Sequence, residues 1–241
     1  MKKAVGFLLA WATILCVLAV AVCGIAGNGD LLAREMLRHA PPETTGLPES
    51  EYSGVGQMIA DYLMGQEKTF QYIFAGAEGK EYFCVRSYEA DHMADCRELI
   101  RLAGTVRWIT GAVALLLAGL AALLRKNRLE FAEGMRCGLI AAGAVFGLLL
   151  VWGLLDFDRL FITFHRIAFT NEGWLLDSRT DMLIRLMPTS FFVSMGVRVL
   201  LAVLVAVLVL SVMVVMIRMT GDKKEIKRGI IRKKQGIMPG E

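Results

Sequence analysis

Four apolar blocks, Ala4–Ala26, Thr105–Leu124, Cys137–Leu155 and Val197–Ile217, constrain this chain more than any other feature. Each runs for about 20 residues, enough as a helix to cross roughly 30 Å of hydrocarbon. No water is present at that depth to satisfy backbone N–H and C=O groups, so such a block must be helical. The composition agrees, since 56% of the 241 residues are apolar and the mean hydropathy is +0.53, more than a soluble domain of this length carries. The first block follows Lys2-Lys3 in the manner of a signal peptide, but it outruns an h-region of about 7–15 residues. Val22 before Cys23 also does not suit a lipoprotein cleavage site, so an uncleaved first helix is expected. The fold class that follows is an all-α, four-helix transmembrane bundle.

Basic residues orient it. Lys2 and Lys3, the connection 125–136 with Arg125, Lys126, Arg128 and Arg136, and the tail 218–241 with its run of Lys and Arg all fall on one side. Lys and Arg mark the cytoplasmic side, which puts both termini inside and the segments 27–104 and 156–196 outside. The tail reads as a surface-lying or disordered segment drawn to anionic lipid. A juxtamembrane basic run needs no nucleic acid to explain it, and none is expected as a partner.

The outside segments are long enough to fold into a small mixed α+β extracytoplasmic cap. Helical spacing is present in 29–38 and 51–63. The aromatic and β-branched runs 69–75 and 81–86 flank 76–80 as a hairpin would. Ser87 is placed to cap a helix over 88–101 whose first turn carries Glu89 and Asp91. Of the five cysteines, Cys16, Cys23 and Cys137 lie in or beside apolar blocks, and Cys84 and Cys96 share an outside segment without establishing a bond.

The chain has three histidines. His39 sits beside a proline turn and reads as a surface residue. His165 falls with Phe161, Phe164, Ala168 and Phe169 on one helical face, opposite Thr163, Arg166 and Thr170, and taken alone it reads as a packing histidine. His92 has Asp95 one turn on, where a carboxylate can hold one imidazole nitrogen, although a solvated helix face explains the same spacing. Each of these two lies near the end of an outside segment, close to a spanning helix. Imidazole moves protons near neutral pH, and a substrate met at the outer leaflet is a lipid or a lipidated protein. Acyl transfer from ester to amine needs a base, a proton for the leaving alkoxide and donors for an oxyanion, roles open to the two histidines with Arg97 or Asn171. No Gly-x-Ser-x-Gly nucleophile elbow is present, and Ser194 and Cys96 stand as isolated candidates. His92, Asp95 and His165 could together hold zinc or iron, but His-x-x-Asp is common by chance and there is no His-Glu-x-x-His; neither metal nor cofactor is expected.

Around these residues the chain resembles the Lit family of four-helix bacterial membrane proteins, the lipoprotein intramolecular transacylases. The resemblance rests on Thr45-Gly46-Leu47, on His92-Met93-Ala94-Asp95-Cys96-Arg97, and on Phe164-His165 through Phe169, Asn171 and Trp174-Leu175-Leu176-Asp177. It continues in Thr180-Asp181, Leu183-Ile184, Met187-Pro188 and Phe191-Phe192. It implies transfer of the sn-2 acyl chain of a diacylated lipoprotein to the α-amine of its N-terminal cysteine, giving the lyso-form. Diacylated bacterial lipoproteins would then be the substrate and membrane lipids the surroundings, at the bacterial cell membrane. The family's catalytic histidines carry over to His92 and His165. Asp95, Arg97, Asn171, Trp174, Asp177, Asp181 and Arg185 are candidates for orienting the pair or lining the cleft, the Asp and Arg residues equally for a structural salt-bridge set. Cys96, Ser178 and Ala168 depart from the family's usual residues without removing a proton carrier. The competing expectation is a non-enzymatic membrane protein that binds lipoproteins or another partner through the same cap.

Overall fold

A computed structural model describes residues 2–75, 81–123 and 128–234, with the side chains of 75, 81–83 and 221–234 left out of the description. The expected hairpin turn 76–80, the basic pair Arg125 and Lys126, and the end of the tail lie outside the described residues. In chain order the elements are α1 (Lys2–Ala26), α2 (Gly29–His39), α3 (Pro42–Thr45), a 3-10 turn (Glu49–Glu51), α4 (Tyr52–Leu63), β1 (Ile73–Ala75), β2 (Glu81–Phe83), α5 (Ser87–Leu123), α6 (Arg128–Leu155), α7 (Phe157–Ala168), α8 (Met182–Leu186) and α9 (Thr189–Lys234).

Four helices are long and apolar enough to cross a membrane: Lys2–Ala26, Ser87–Leu123, Arg128–Leu155 and Thr189–Thr220. Their exposed surface is rich in Leu and Val, among them Leu115, Leu116, Leu148 and Leu154. That surface is unfavourable against water and natural against lipid. Three helices outrun the apolar blocks, α6 by beginning at Arg128 inside the basic connection. The helix expected at 88–101 is continuous with the second span, because nothing between Leu102 and Thr105 breaks it. The last span runs on through the basic residues to Lys234 as one helix, where a surface-lying or disordered tail was expected; Lys, Arg and Ile are all good or tolerable helix formers. The strands are shorter than the runs that suggested them, pairing only Ile73 with Phe83, Phe74 with Tyr82 and Ala75 with Glu81.

The chain divides into two compact units. One comprises Met1–Cys16, Trp108–Gly147 and Val203–Glu241; the other comprises Val17–Arg107 and Leu148–Ala202. In the first, α1 crosses α6 on a seam of small residues. Ala10, Ala132 and Ala142 are completely buried, and a Cβ at Gly134 would overlap the Lys3 carbonyl while one at Gly6 would overlap that of Phe131. Between helices in lipid, where apolar side chains gain little from meeting each other, such close backbone approach supplies much of the attraction.

The second unit has an apolar core of Leu32, Met36, Leu47, Tyr52, Val55, Ile59, Met93, Leu186 and Phe191, among others. Val55, Ile59 and Tyr62 form a buried stripe on α4, the helix expected from the spacing in 51–63, and α2 packs against α4. The Tyr52 hydroxyl donates to the Ala40 carbonyl and meets the Thr45 hydroxyl at 2.7 Å. Gly46 ends α3 at φ +76°, a left-handed cap that glycine adopts without steric cost. Ser87 does not cap α5. Glu89 does so instead, its buried carboxyl group accepting from the Arg86 N–H at 2.7 Å and, through the other oxygen, from the Leu183 N–H at 2.7 Å.

The α1–α6 seam gives a direct test. Gly134→Val should lower stability by about 1–3 kcal/mol or more through overpacking, read as a fall in thermal unfolding temperature in detergent. Gly147→Val on the same helix, where a Cβ meets nothing within 4 Å, should cause no such loss.

Candidate active site

α7 is an amphipathic helix opened by Asp156, whose side chain accepts from the Arg159 N–H at 2.9 Å. Its apolar stripe stacks Phe157 on Phe161, with ring centroids 6.1 Å apart, and Phe161 against His165 at 4.1 Å. Behind them Phe192 of α9 packs on Phe161 at 4.9 Å. His165 is the buried residue of this helix, 7% exposed. Its Nδ1 lies 2.8 Å from the Phe161 carbonyl oxygen. A carbonyl only accepts, so Nδ1 carries the hydrogen and Nε2 is left with its lone pair.

His92 projects from the second turn of α5, where Glu89 holds the helix start and Met93 enters the core. It too is 7% exposed. Its ring centroid lies 6.0 Å from that of His165. Phe169 presents its ring at 5.1 Å from His92 and 5.4 Å from His165, so one aromatic side chain touches both. Phe164 at 5.4 Å and Trp174 at 5.1 Å complete the surroundings of His165. The Nε2 atom of His92 lies 3.6 Å from the Cys96 thiol, and its Nδ1 is buried without a hydrogen-bond partner.

The chain from Phe169 to Asp181 forms a strap beside this pair. Asn171 pins it, its Nδ2 donating to Asp95 at 2.8 Å while its Oδ1 accepts from the Gly173 N–H at 2.9 Å. Trp174 is thereby held near His165. Asp95, Asn171 and Trp174 thus gather with the two histidines, and the Asp95 carboxylate serves Asn171 rather than a His92 nitrogen.

Arg97, Asp177, Asp181 and Arg185 do not gather there. The Arg97 guanidinium lies over the Tyr62 ring, 5.0 Å from its centroid. Asp177 takes a two-pronged bond from Arg179, Nε to Oδ1 and a terminal nitrogen to Oδ2, and its own N–H donates to Asp181. Asp181, 3% exposed, also accepts from the hydroxyls of Tyr88 at 2.5 Å and Thr180 at 2.8 Å. Arg185 donates to the Thr44 carbonyl at 2.6 Å. These four anchor the strap and the loops beneath it. Of the isolated nucleophile candidates, Ser194 donates to Glu35 at 2.7 Å. The Cys96 thiol is pushed up to about 12 by burial, with Asp95 adding to the rise, so it stays protonated at neutral pH.

Burial decides the electrostatics of the pair. It pushes His92 down to about 4, helped by the neighbouring His165 and opposed by Asp95. It lowers His165 as well, against the bond to the Phe161 carbonyl. Both imidazoles are neutral at physiological pH, the form that accepts a proton.

Two buried acids were not singled out in the sequence. Glu89 was read only as a charge suited to a helix start, because Arg86 in place of Ser or Thr hides half of the capping-box signature. Glu35, 3% exposed, binds Ser194 and Arg198 and has His39 Nε2 at 3.5 Å. His39 is therefore half-buried beside a carboxylate and is not a surface residue. Its i,i+4 spacing from Glu35 was the available signal.

Four apolar helices of spanning length and a pair of neutral, water-poor imidazoles define a membrane-integral protein equipped for proton transfer. The chain belongs to the family of the lipoprotein intramolecular transacylase Lit, whose model matches residues 7–192. The crystal structure of the membrane-integral Lit from Bacillus cereus has the same fold, with a TM-score of 0.68 at 16% identity over 98% of both chains. A form of that protein with a histidine-to-alanine mutation matches with a TM-score of 0.67 at 17% identity, covering 94% of this chain and 96% of that one. Among curated proteins none matches the chain.

The lowered imidazoles give a pH prediction with a definite sign. In histidine-labelled protein in micelles, the His92 ring should titrate near 4 and that of His165 below the ordinary 6.5. A depressed folded-state value contributes stability that is present above 6.5 and lost as the pH falls through about 4. An NMR titration of His92 at or above 6.5 would contradict the buried setting.

Proposed function

We propose that this chain is an intramolecular transacylase that moves the sn-2 acyl chain of a diacylglyceryl lipoprotein onto the α-amine of its N-terminal cysteine. The observation that carries this reading is the facing pair: His165 with its tautomer set by the Phe161 carbonyl, and His92 at 6.0 Å with a buried, unpartnered Nδ1.

His165 Nε2 is the general base. The amine nitrogen attacks the ester carbonyl and its proton passes to Nε2. The Cys96 thiol, a protonated donor, bonds Nε2 of His92 and leaves that ring's hydrogen on Nδ1, where it meets the developing oxyanion. Collapse of the tetrahedral species breaks the sn-2 C–O bond, and the departing alkoxide takes the proton from His165. The amide has formed, a glyceryl hydroxyl is free, and both imidazoles are as they began. Atoms and charges balance without a metal, a cofactor or a covalent enzyme intermediate. Donor and acceptor belong to one molecule, so the catalyst supplies orientation and proton transfer.

The setting suits the chemistry. Phe161, Phe164, Phe169 and Trp174 surround the imidazoles with apolar surface on which an acyl chain can lie, and they keep out the water that would hydrolyse the ester instead. Lys2, Lys3, the connection 125–136 and the basic tail mark the cytoplasmic face. Segments 27–104 and 156–196 accordingly form an extracytoplasmic cap, mostly helical with one short β-pair, and the site faces the outer leaflet where lipoproteins are anchored. The spans are 4–26, 105–124, 137–155 and 197–217.

The test is mass spectrometry of a lipoprotein from a strain lacking other N-acylation, with and without this chain. The lyso-form should appear with the wild type. His92→Ala or His165→Ala, at equal expression, should reduce it by about 10²–10⁴-fold. Undiminished lyso-form from either variant would remove that histidine from the reaction.

A further inference from the structure

On the other side of the α9 helix start lies a second feature that the aromatic cage does not use. A cavity of ≈ 590 Å³ opens between α2 and the first turns of α9, lined by Arg38, His39, Thr189, Ser190, Val193 and Ser194. The lining residue Ser194 donates to Glu35 at 2.7 Å, and Arg198 donates to the same carboxylate at 2.5 Å. With that carboxylate satisfied, the groups left at the cavity are mostly donors. Arg38 makes one long contact, 3.4 Å to Glu35, and is otherwise open to solvent. The Ser190 hydroxyl has no partner among the described residues. His39 Nε2 makes no hydrogen bond at 3.5 Å from Glu35.

The backbone adds to them. The Pro188 carbonyl accepts from the N–H groups of Phe191 and Phe192, which leaves those of Thr189 and Ser190, at the helix start, without a chain partner among the described residues. The exposed Asp158, bonded by Thr189 at 3.2 Å, is an acid at the rim. Arg38 and Arg198 are thus balanced by Glu35 and Asp158, and a ligand here is read by hydrogen-bond donors rather than by net charge.

What continues from the cavity identifies the ligand class. Val193, Val197 and Leu201 are 39%, 49% and 56% exposed. At i, i+4 spacing they form one apolar stripe that starts in the cavity and descends the spanning helix. Donors at the level where the chain enters its apolar span, with an unbroken apolar track below, match a phosphate joined to an acyl chain.

We propose that this groove is a binding site for a membrane glycerophospholipid, its phosphate held by Arg38, Ser190 and the start of α9, and one acyl chain lying along Val193, Val197 and Leu201. The site is separate from the histidine pair and does not depend on the transacylase reading. An occupant would brace the start of α9 from the side opposite Phe192, which packs on Phe161 behind His165.

The test is native mass spectrometry of the full chain from a neutral detergent, titrated with phosphatidylglycerol, with diacylglycerol of the same acyl chains, and with inorganic phosphate. Losing charge-assisted hydrogen bonds is worth roughly tenfold or more in affinity, so the phospholipid should bind about tenfold tighter than the diacylglycerol. Arg38→Ala and Ser190→Glu, both at exposed positions, should remove that difference, and Arg166→Ala should keep it. Equal binding of phospholipid and diacylglycerol would overturn the proposal, as would wild-type lipid affinity in folded R38A and S190E proteins. Displacement of the phospholipid by millimolar inorganic phosphate would assign the groove to a free anion and overturn the lipid.

Discussion

The second unit depends on the placement of one buried carboxyl group. Glu89 is completely buried, and each of its oxygens accepts a backbone N–H, one at the start of α5 and one from Leu183 in α8, 94 residues further on. Those N–H groups belong to helix starts, which have no acceptor of their own. Unmet inside a protein, each would cost about 1–3 kcal/mol. One side chain thus satisfies two helices and sets α8 against α5 three residues before His92. Tyr88 does the same work next door, donating to Asp181, whose carboxylate in turn receives the Asp177 N–H. The strap between Phe169 and Asp181 is then fixed at both ends, by Asn171 on Asp95 and by Asp181 on Tyr88. Trp174 lies between those anchors, so its place beside His165 follows from polar bonds made elsewhere.

The imidazoles themselves are placed by apolar contacts. No carboxylate is bonded to either ring nitrogen pair among the described residues. His165 has a backbone carbonyl, and His92 has a thiol. A carboxylate partner would raise an imidazole and favour the imidazolium; a carbonyl or thiol in a dry setting leaves it neutral. The cost is that a neutral imidazole of low basicity is a weak base. It is offset if the proton it receives is returned within the same event, as in transfer from an amine to an alkoxide on one substrate.

The spans were legible because their signal is long and has a single cause: twenty apolar residues have one stable home. The helical face that holds Phe161, Phe164, His165 and Phe169 was legible too, since period 3.6 is read directly. The site beyond the histidines was only half legible. Asp95 and Asn171 were singled out, but their bond to each other joins positions 76 residues apart, and no local pattern announces it. Arg97, Asp177, Asp181 and Arg185 were named as candidates for orienting the pair or lining the cleft, the four equally for a structural salt-bridge set. The helix turns Arg97 away from His92, and the strap spends its acids on its own backbone. Glu35 and Glu89 were least legible, because a buried acid and an exposed one look alike until the donors around it are known. The strands fell short for a related reason, since two isolated strands of three residues gain little without a third partner.

A cage of aromatic rings around two uncharged bases also bears on which reaction it favours. Water is a competing nucleophile for any activated ester, and bulk water holds it at far higher concentration than a single amine. In an open site hydrolysis would prevail. Here both histidines are 93% shielded by their surroundings, being 7% exposed, and Phe169 covers the two together. For the proposed transfer, a substrate that brings its own amine needs no second molecule to enter, so the walls can close around the ester without starving the reaction. Exclusion of water and reliance on an internal nucleophile are therefore one design choice. The same dryness that lowers the imidazoles toward weak basicity removes the competitor against which a stronger base would be needed.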